Sequence, residues 1–409
     1  MKENYSHKQL LSLPVLVAAM GYFVDIYDLL LFSIVRIPSL KGLHVPANQL
    51  LEKGVFLINI QMGGMLVGGI FWGIIGDKRG RLSVLFGSIA LYSLANIANG
   101  FIVSVDQYAF FRFIAGIGLA GELGAGITLV AEMLPKAIRG YGTSIVAAIG
   151  LLGAVLAYLI ADAVDWRIAY IIGGVMGFML LGIRFKLFES GMFNSVKEKN
   201  VRRGNILVLF SSSQKFIKYL RCIVVGLPVW FVIGILFTFS PEFGKVMGMP
   251  VPIQAGKAVM YGFIGLSLGD ISSGLLSQFM KSRRKVVFFF LILTSLTITL
   301  FLTQGSKNVF VFYSLCLFLG FSIGFWALFV TISAEQFGTN LRATVATTAP
   351  NFVRGSVNIL GPLFLLGKGY WGVLPSAGAV GGFSVLLAFL AVWKMEETFH
   401  KDLNYLETE

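Results

Sequence analysis

Charge is what this sequence has least of. Asp, Glu, Lys and Arg together make up 13% of its 409 residues, about half the share usual in soluble globular proteins. A soluble domain could not cover its surface with so few charges. Disorder is excluded as well, because every long stretch is apolar. Cysteine is nearly absent. Cys222 and Cys316 both lie in apolar runs, which leaves neither a disulfide framework nor a thiolate metal spacing. The three histidines, His7, His44 and His400, fall outside those runs, so no histidine metal cluster and no intramembrane histidine relay is expected. There is no GxxxxGK[ST] phosphate loop, which excludes an ATP-driven pump encoded on this chain alone. Neither a metal nor an organic cofactor is expected, and no enzymatic site.

What is present is apolar. Hydrophobic residues make up 56% of the chain, and the mean hydropathy is +0.81. About twenty apolar residues cross a bilayer, so twelve crossings need about 240; 56% of 409 residues is about 229. Composition therefore predicts an all-α membrane protein of twelve helices with short loops. The runs lie near 10–36, 54–77, 83–104, 106–134, 141–163 and 166–188, then near 219–240, 256–280, 286–304, 308–335, 342–366 and 371–394. The first follows Lys2 and Lys8, is too long for a signal-peptide core, and is expected to be retained as a helix. The longest polar segment separates the two sets. This predicts an N-terminal six-helix bundle over 1–188, a cytoplasmic linker over 189–218, a C-terminal six-helix bundle over 219–395 and a cytoplasmic tail over 396–409.

The net charge of +13 reads as the positive-inside excess of a membrane protein rather than as a nucleic-acid surface. With both termini cytoplasmic, the inner segments hold 22 of the 33 basic residues and the outer ones hold nine, including Arg36 and Arg112. The expected setting is the inner, cytoplasmic membrane, as a multi-pass monomer. The halves also repeat weakly. Glu132 is followed seven residues later by Arg139, and Glu335 seven residues later by Arg342, at an offset of 203 residues. A two-fold repeat of helical bundles points to a transporter that rocks one half against the other.

Gly116-Ile117-Gly118-Leu119-Ala120-Gly121 fits GxGxxG. No strand precedes it, so close helix packing explains it better than a dinucleotide site. Between the second and third runs stands Gly73-Ile74-Ile75-Gly76-Asp77-Lys78-Arg79-Gly80-Arg81. Positive-inside topology alone would place bases there. The segment nevertheless resembles the loop motif of the major facilitator superfamily, G-x-x-x-D-[RK]-x-G-R-[RK], with Leu82 in place of a second base. Arg112, Gly116, Gly118, Gly121 and Glu122 are similar to that family's fourth-helix pattern. Leu187-Phe188-Glu189-Ser190 and Met395-Glu396-Glu397-Thr398 are similar to its acidic motifs after helices six and twelve. The resemblance implies twelve helices in two pseudo-symmetric bundles around a central cavity. It also implies a gating set: Gly73, Asp77 and Arg81 in the loop, with Glu132, Arg139 and Arg342. Asp77 would latch onto the N-terminus of the helix starting near Arg342, where a helix dipole favours negative charge.

Ionisable residues within spans are functional by default. Asp25 and Asp28 lie near mid-depth of the first helix, and their i,i+3 spacing puts both on one face. Close carboxylates suit proton carriage; the alternative is neutralisation by structural arginines. The segment Asp25-Ile26-Tyr27-Asp28 resembles the first helix of metabolite:proton symporters, including their sugar- and phosphate-transporting relatives, where an acidic pair brackets an aromatic. That implies a coupling role for the acids and a cavity position for Tyr27. Arg112 and Glu122 are ten residues apart, about 15 Å along a helix, and cannot pair. The resemblance implies that Arg112 meets Asp25 or Asp28. Glu122 is either a second proton site or a helix-packing group.

The eleventh helix carries Thr344, Thr348, Asn351, Arg354 and Asn358 as one polar stripe. A buried arginine on it suits an anion, because guanidinium binds carboxylate or phosphate through two parallel bonds. The competing role is a structural pair with an acid such as Asp270 on the eighth helix, where Asp270, with Ser267, Ser273 and Ser277, is itself a candidate wall of the substrate cavity. Trp230 and Trp326 either stack on a substrate or pack helices. The combined expectation is proton-coupled symport of a small polar metabolite, an organic anion before a sugar. Its partners are the substrate, protons and the lipid bilayer, with no nucleic acid. A proton-driven exporter of a metabolite or a polycarboxylate chelator stays open. So does a non-transporting sensor or scaffold, although buried charge argues against it.

Overall fold

The computed structural model describes residues 12–79, 81–122, 139–189 and 209–399. Its regular elements among these residues are all helical. Lipid demands this, since a spanning segment must satisfy its backbone amides within itself unless strands close into a barrel. Helices α1 (Leu13–Gly42), α2 (Leu50–Arg79), α3 (Arg81–Asn99), α4 (Val105–Leu119) and α7 (Trp166–Glu189) follow five of the first six expected spans. The fifth span is two pieces, α5 (Arg139–Leu151) and α6 (Gly153–Ala163).

The second set is more broken. Its first span is built from α8 (Ser213–Val225), α9 (Leu227–Phe231), a π-helical turn over Val232–Phe237 and α10 (Ser240–Val246). Then come α11 (Ala255–Phe279) and α12 (Arg283–Thr303). The tenth span divides into α13 (Val309–Ser322) and α14 (Trp326–Glu335), and the eleventh into α15 (Thr339–Gly355) and α16 (Val357–Trp371). Helix α17 (Val373–Trp393) completes the twelve.

Eight described helical stretches are long and apolar enough to cross a membrane, and a ninth is the pair bent by 40° around Gly226. The third span is shorter, at Ser83–Asn99. Part of the expected fourth span lies outside the described residues, and the eleventh is diluted by its threonines, asparagines and arginines. Breaks have local causes. Pro228 in the first turn of α9 has no amide to donate. Helix starts are set by side chains: Ser104, Ser212, Ser282 and Asn308 each accept a bond from an amide two or three residues on.

Small residues set the packing. A Cβ on Gly116 would lie 2.1 Å from the Gln61 carbonyl oxygen, and one on Gly320 would lie 1.8 Å from that of Gly262. So α4 presses on α2 as α13 presses on α11, at positions about half the chain apart. The GxGxxG segment is thus a helix-packing device, as expected. Across the two sets, α2 packs on α15 and α16, while α11 packs on α1, α5 and α6.

Three arginines read as loop charges are not in loops. Arg36 and Arg112 are fully buried within α1 and α4, and Arg184 is buried within α7. The error came from assigning charge by distance from the ends of apolar runs. Helix α1 has 30 residues, ten more than a bilayer needs, so its charged end is still helix. Removing the three leaves an inner to outer split of 21 to seven, from 22 and nine.

Candidate functional site

Helix α1 carries the centre of the site. Asp25 is fully buried, and neither of its oxygens meets a hydrogen-bond donor among the described residues. Its nearest cation is Arg354 of α15, with Nη2 at 3.9 Å from Oδ2. That guanidinium is also buried. It reaches the Asn351 Oδ1 at 3.5 Å, and its carbon lies 5.9 Å from the centre of the Trp230 ring. From sequence, Arg112 was expected to meet Asp25 or Asp28, and Arg354 an anion or an acid such as Asp270; the acid beside Arg354 is Asp25. One turn before Asp25 on the same helix, Tyr22 is buried. Sequence reasoning missed Tyr22, since a tyrosine in an apolar run carries no signal of its own.

One turn on, Asp28 belongs to a different cluster. Arg112 is its leading charged neighbour, but Arg112 spends its donors on Asn96 Oδ1 at 2.6 Å and Gln61 Oε1 at 3.5 Å. It also lies over the Tyr170 ring at 4.9 Å. Asn96 faces Asp28 without closing a bond: both Asp28 oxygens and Asn96 Nδ2 lack partners among the described residues. Gln61 and Asn96 were not singled out from sequence, because single amides in apolar helices declare their role only when the helices meet.

Glu122 has a partner that the sequence did not suggest. Arg184 Nη2 and Nη1 reach its two oxygens at 2.5 and 3.1 Å. The pair abuts Gly21, where a Cβ would lie 2.3 Å from Glu122 Oε1. A two-bond buried pair with room made for it favours the packing role over a proton site. Glu122→Gln is therefore expected to strand the Arg184 charge and cost about 3–5 kcal/mol of stability. Thermal unfolding of the purified variant checks this. In the protein that still folds, the accumulation ratio driven by a pH gradient should match wild type. Normal stability with lost accumulation would make Glu122 a coupling residue.

The remaining candidates divide. Tyr27 turns away from the centre, donating to the Ala169 carbonyl of α7 at 2.8 Å. Asn351 bridges the halves, donating to the Ala120 carbonyl at 2.9 Å. Asn358 lies beyond the break at Ser356 and donates to the Gly355 carbonyl at 3.1 Å, so the stripe does not continue in register. Asp270 accepts from the Ala327 amide at 3.0 Å, and its second oxygen has no partner among the described residues. Trp326 stacks on Phe329 at 5.2 Å.

The two ends of the bundle are held differently. At one, Arg36 of α1 donates to Glu242 at 2.7 Å and to the carbonyls of Thr238 and Leu50, both at 3.3 Å. It also lies 4.7 Å over the Phe239 ring, while Thr238 donates to Ser33 at 3.0 Å. These bonds join the first helix to the seventh span. Beside them is a cavity of about 590 Å³ with Lys41, Tyr158, Asp162 and Lys245 in its wall. Glu242→Gln removes the charged partner of a buried cation, so this end should open more often. A cysteine at Ser33 should then react faster with an impermeant thiol reagent, against a background of two buried native cysteines. An unchanged labelling rate would show that the pair does not hold this end shut.

At the other end, Arg283 donates two bonds to Glu335, at 2.7 and 2.9 Å, and Thr398 donates to the same carboxylate at 2.7 Å. Ser282 donates to Glu397, as do the Arg283 amide at 3.0 Å and the Arg284 amide at 3.3 Å. Burial alone would raise the Glu397 carboxyl, but these donors and the Phe399 amide outweigh it and hold it below the usual glutamate value. Its contribution to stability is thus present above that usual value and lost as pH falls through the depressed one. This cluster ties three spans of one half together; from sequence, Glu335 was read only as part of the repeat and Glu397 only as part of an acidic motif. Of the expected gating residues, Gly73 lies in α2, and a Cβ there would meet nothing within 4 Å among the described residues. Arg342 lies in the first turn of α15 and reaches the Phe337 carbonyl at 3.4 Å. Glu132 and the side chains of Asp77, Arg81 and Arg139 lie outside the described residues. Helix α15 does pack along α2, the pairing the latch requires.

The family profile described as Major Facilitator Superfamily matches residues 18–362. The chain belongs to the major facilitator superfamily. It is a multi-pass membrane transporter and not an enzyme. Among solved structures, this superfamily member is similar to the proton:xylose symporter XylE, with a TM-score of 0.73, 17% identity and 98% of each chain covered. That likeness bears on the fold alone. In sequence the chain is 26% identical to the niacin transporter NiaP of Acinetobacter baylyi, over 80% of both chains. It is 24% identical to a benzoate transport protein of the same organism, over 81% of this chain and 78% of that one. It is 26% identical to the 3-(3-hydroxy-phenyl)propionate transporter of Escherichia coli, over 87% of this chain and 90% of that one.

Proposed function

We propose that this transporter is a proton-coupled symporter for a small organic anion, with an aromatic monocarboxylate as the best-fitting substrate. The observation that carries this reading is the 3.9 Å approach of Arg354 to Asp25. Both groups are buried, they come from opposite halves, and Asp25 has no hydrogen-bond donor among the described residues. A loose pair of that kind can be taken over by a competitor. Ionised Asp25 holds Arg354. Protonated Asp25 lets go, and the guanidinium then accepts a substrate carboxylate through two bonds. Proton without substrate leaves Arg354 buried and unpaired, which is costly. Substrate without proton brings two carboxylates to one cation. Each half-loaded state is thereby disfavoured, and proton and anion move together.

Trp230, under the guanidinium, and Trp326, at the start of α14, offer flat apolar surface to a ring. The names of the relatives support the same class, since niacin, benzoate and hydroxyphenylpropionate are all aromatic carboxylates. With both termini cytoplasmic, the Arg36–Glu242 end faces outward and is closed, and the Arg283–Glu335–Glu397 end faces the cytoplasm of an inner membrane. On this reading the unit is a monomer of two six-helix halves joined by the 189–218 segment, with Asp77 latching the inner end against α15.

The test is direct binding of benzoate, nicotinate and xylose to the purified protein at pH 6 and pH 8. Saturable binding of the acids, tighter at pH 6, supports the reading. Binding of xylose alone would replace the anion with a sugar.

A further inference from the structure

We infer that the cavity of about 590 Å³ beside the Arg36–Glu242 lock is a second ligand site, separate from Arg354, for a bulky apolar monoanion, and that filling it holds that end of the bundle shut. The cavity lies on the seam between the halves. Helices α1 and α6 supply one side of it, and α10 with the segment entering α11 supplies the other. The halves meet closely within its wall: a Cβ on Gly256 of α11 would lie 2.6 Å from the Tyr158 ring and 2.9 Å from Ile34 Cγ2. The space is thus bounded by a tight helix crossing.

Its wall is preformed. Pro38, Pro241, Pro250 and Pro252, four of the eleven prolines in the chain, line it. Proline fixes φ and brings no amide, so this wall is stiff and poor in backbone donors. The segment holding Pro250 and Pro252 is pinned at both ends. The Met249 amide donates to the Gly244 carbonyl at 3.0 Å, and the Gln254 amide donates to the Tyr313 hydroxyl at 3.0 Å. A largely apolar, preformed cleft of this volume suits a drug-sized ligand rather than a single ring, and little has to be ordered when one binds.

Charge selects the class. Lys41 lies in the last turn of α1 and Lys245 in the last turn of α10, so each half contributes one cation to the wall. Neither lysine has a carboxylate within ion-pair distance among the described residues. Asp162 of α6 is the only acid among the wall residues. Two cations against one acid leave a single positive charge. A monoanion neutralises it, and a second negative charge would meet Asp162. A carboxylate between lysines of opposite halves, with its apolar body against both walls, loses one side of its contacts when the halves part. A ligand shifts an equilibrium by its differential affinity for the two states, so occupancy favours the closed lock.

The probe is pyrene-1-butyrate, with its uncharged amide as control, titrated by fluorescence against the full purified chain. Wild type should bind the acid saturably and about fivefold or more tightly than the amide, a modest factor because both lysines are solvent-exposed. In Lys41→Gln/Lys245→Gln that preference should fall to about one. Ala161→Trp places an indole in the cavity wall and keeps both lysines, so it should remove the binding. Excess benzoate should not displace the probe. The effect on the lock is read in Ser33→Cys: saturating acid should slow its reaction with an impermeant thiol reagent severalfold. The site is overturned if wild type shows no saturable binding, if the preference survives in the double lysine variant, or if binding survives Ala161→Trp. Displacement by benzoate also overturns it, since the probe would then sit at Arg354. An unchanged labelling rate with the site filled overturns the clamp.

Discussion

Arg354→Lys is expected to weaken binding of an anionic substrate by roughly ten- to a hundredfold, the worth of one charge-assisted hydrogen bond. Lysine keeps the charge but replaces a planar five-donor fork with a compact, strongly hydrated ammonium. The fork matters here because Arg354 has two tasks. One nitrogen faces Asp25 at 3.9 Å and another faces Asn351 Oδ1 at 3.5 Å. Those two nitrogens are the ones that a substrate carboxylate would engage side by side. A shorter, single-headed cation cannot be handed from Asp25 to substrate by a small rotation. Arg354→Gln goes further and leaves Asp25 buried without any cation, so a loss of folded protein should accompany the loss of binding. Binding isotherms of Arg354→Lys at fixed pH check the first effect. A substrate bound equally well by Arg354→Lys would make the guanidinium a structural partner of Asp25.

Asp25→Asn has the second large expected effect: accumulation driven by a pH gradient should be lost, while exchange of substrate across the membrane persists. Exchange needs no net proton movement, and an asparagine at this position mimics the protonated acid. The variant should therefore bind substrate with little dependence on pH between 6 and 8. Asp28→Asn provides the contrast. Asp28 faces Arg112 inside one half, and Arg112 is already held by Asn96 and Gln61. Its removal should slow turnover without abolishing the coupling ratio. If Asp28→Asn alone abolishes accumulation, the coupled proton sits on the Arg112 side and the Arg354 competition is not the coupling step.

Much of this was legible from the sequence, and the residues show why the rest was not. The acidic pair on α1 stood out because charge in an apolar run is rare and its spacing gives a face. Arg354 stood out for the same reason. Which acid each arginine meets depended on helices coming together, and there the expectations diverged: Arg354 went to Asp25, and Glu122 went to Arg184. Arg36 shows a second limit. A helix longer than the bilayer carries its last charges past the apolar run, so a buried cross-half lock reads as loop charge. Uncharged polar groups such as Tyr22, Gln61 and Asn96 were invisible alone, since what marks them is their neighbours. The gating loop shows the reverse case. Its motif is plain in the sequence from Gly73 to Arg81, whereas the side chains of Asp77 and Arg81 fall outside the described residues.

The central claim is that protons and an aromatic carboxylate cross together through the Asp25–Arg354 pair. The measurement that bears on it most directly is uptake of labelled benzoate into proteoliposomes with an imposed inside-alkaline gradient. Empty liposomes and Asp25→Asn vesicles are run in parallel, because a weak acid also follows such a gradient by simple permeation. With one-to-one coupling, each pH unit supports about tenfold accumulation, reached faster than in those controls, and dissipating the gradient should abolish it. Uptake by wild type that equals the Asp25→Asn vesicles, or that ignores the gradient, would contradict the account.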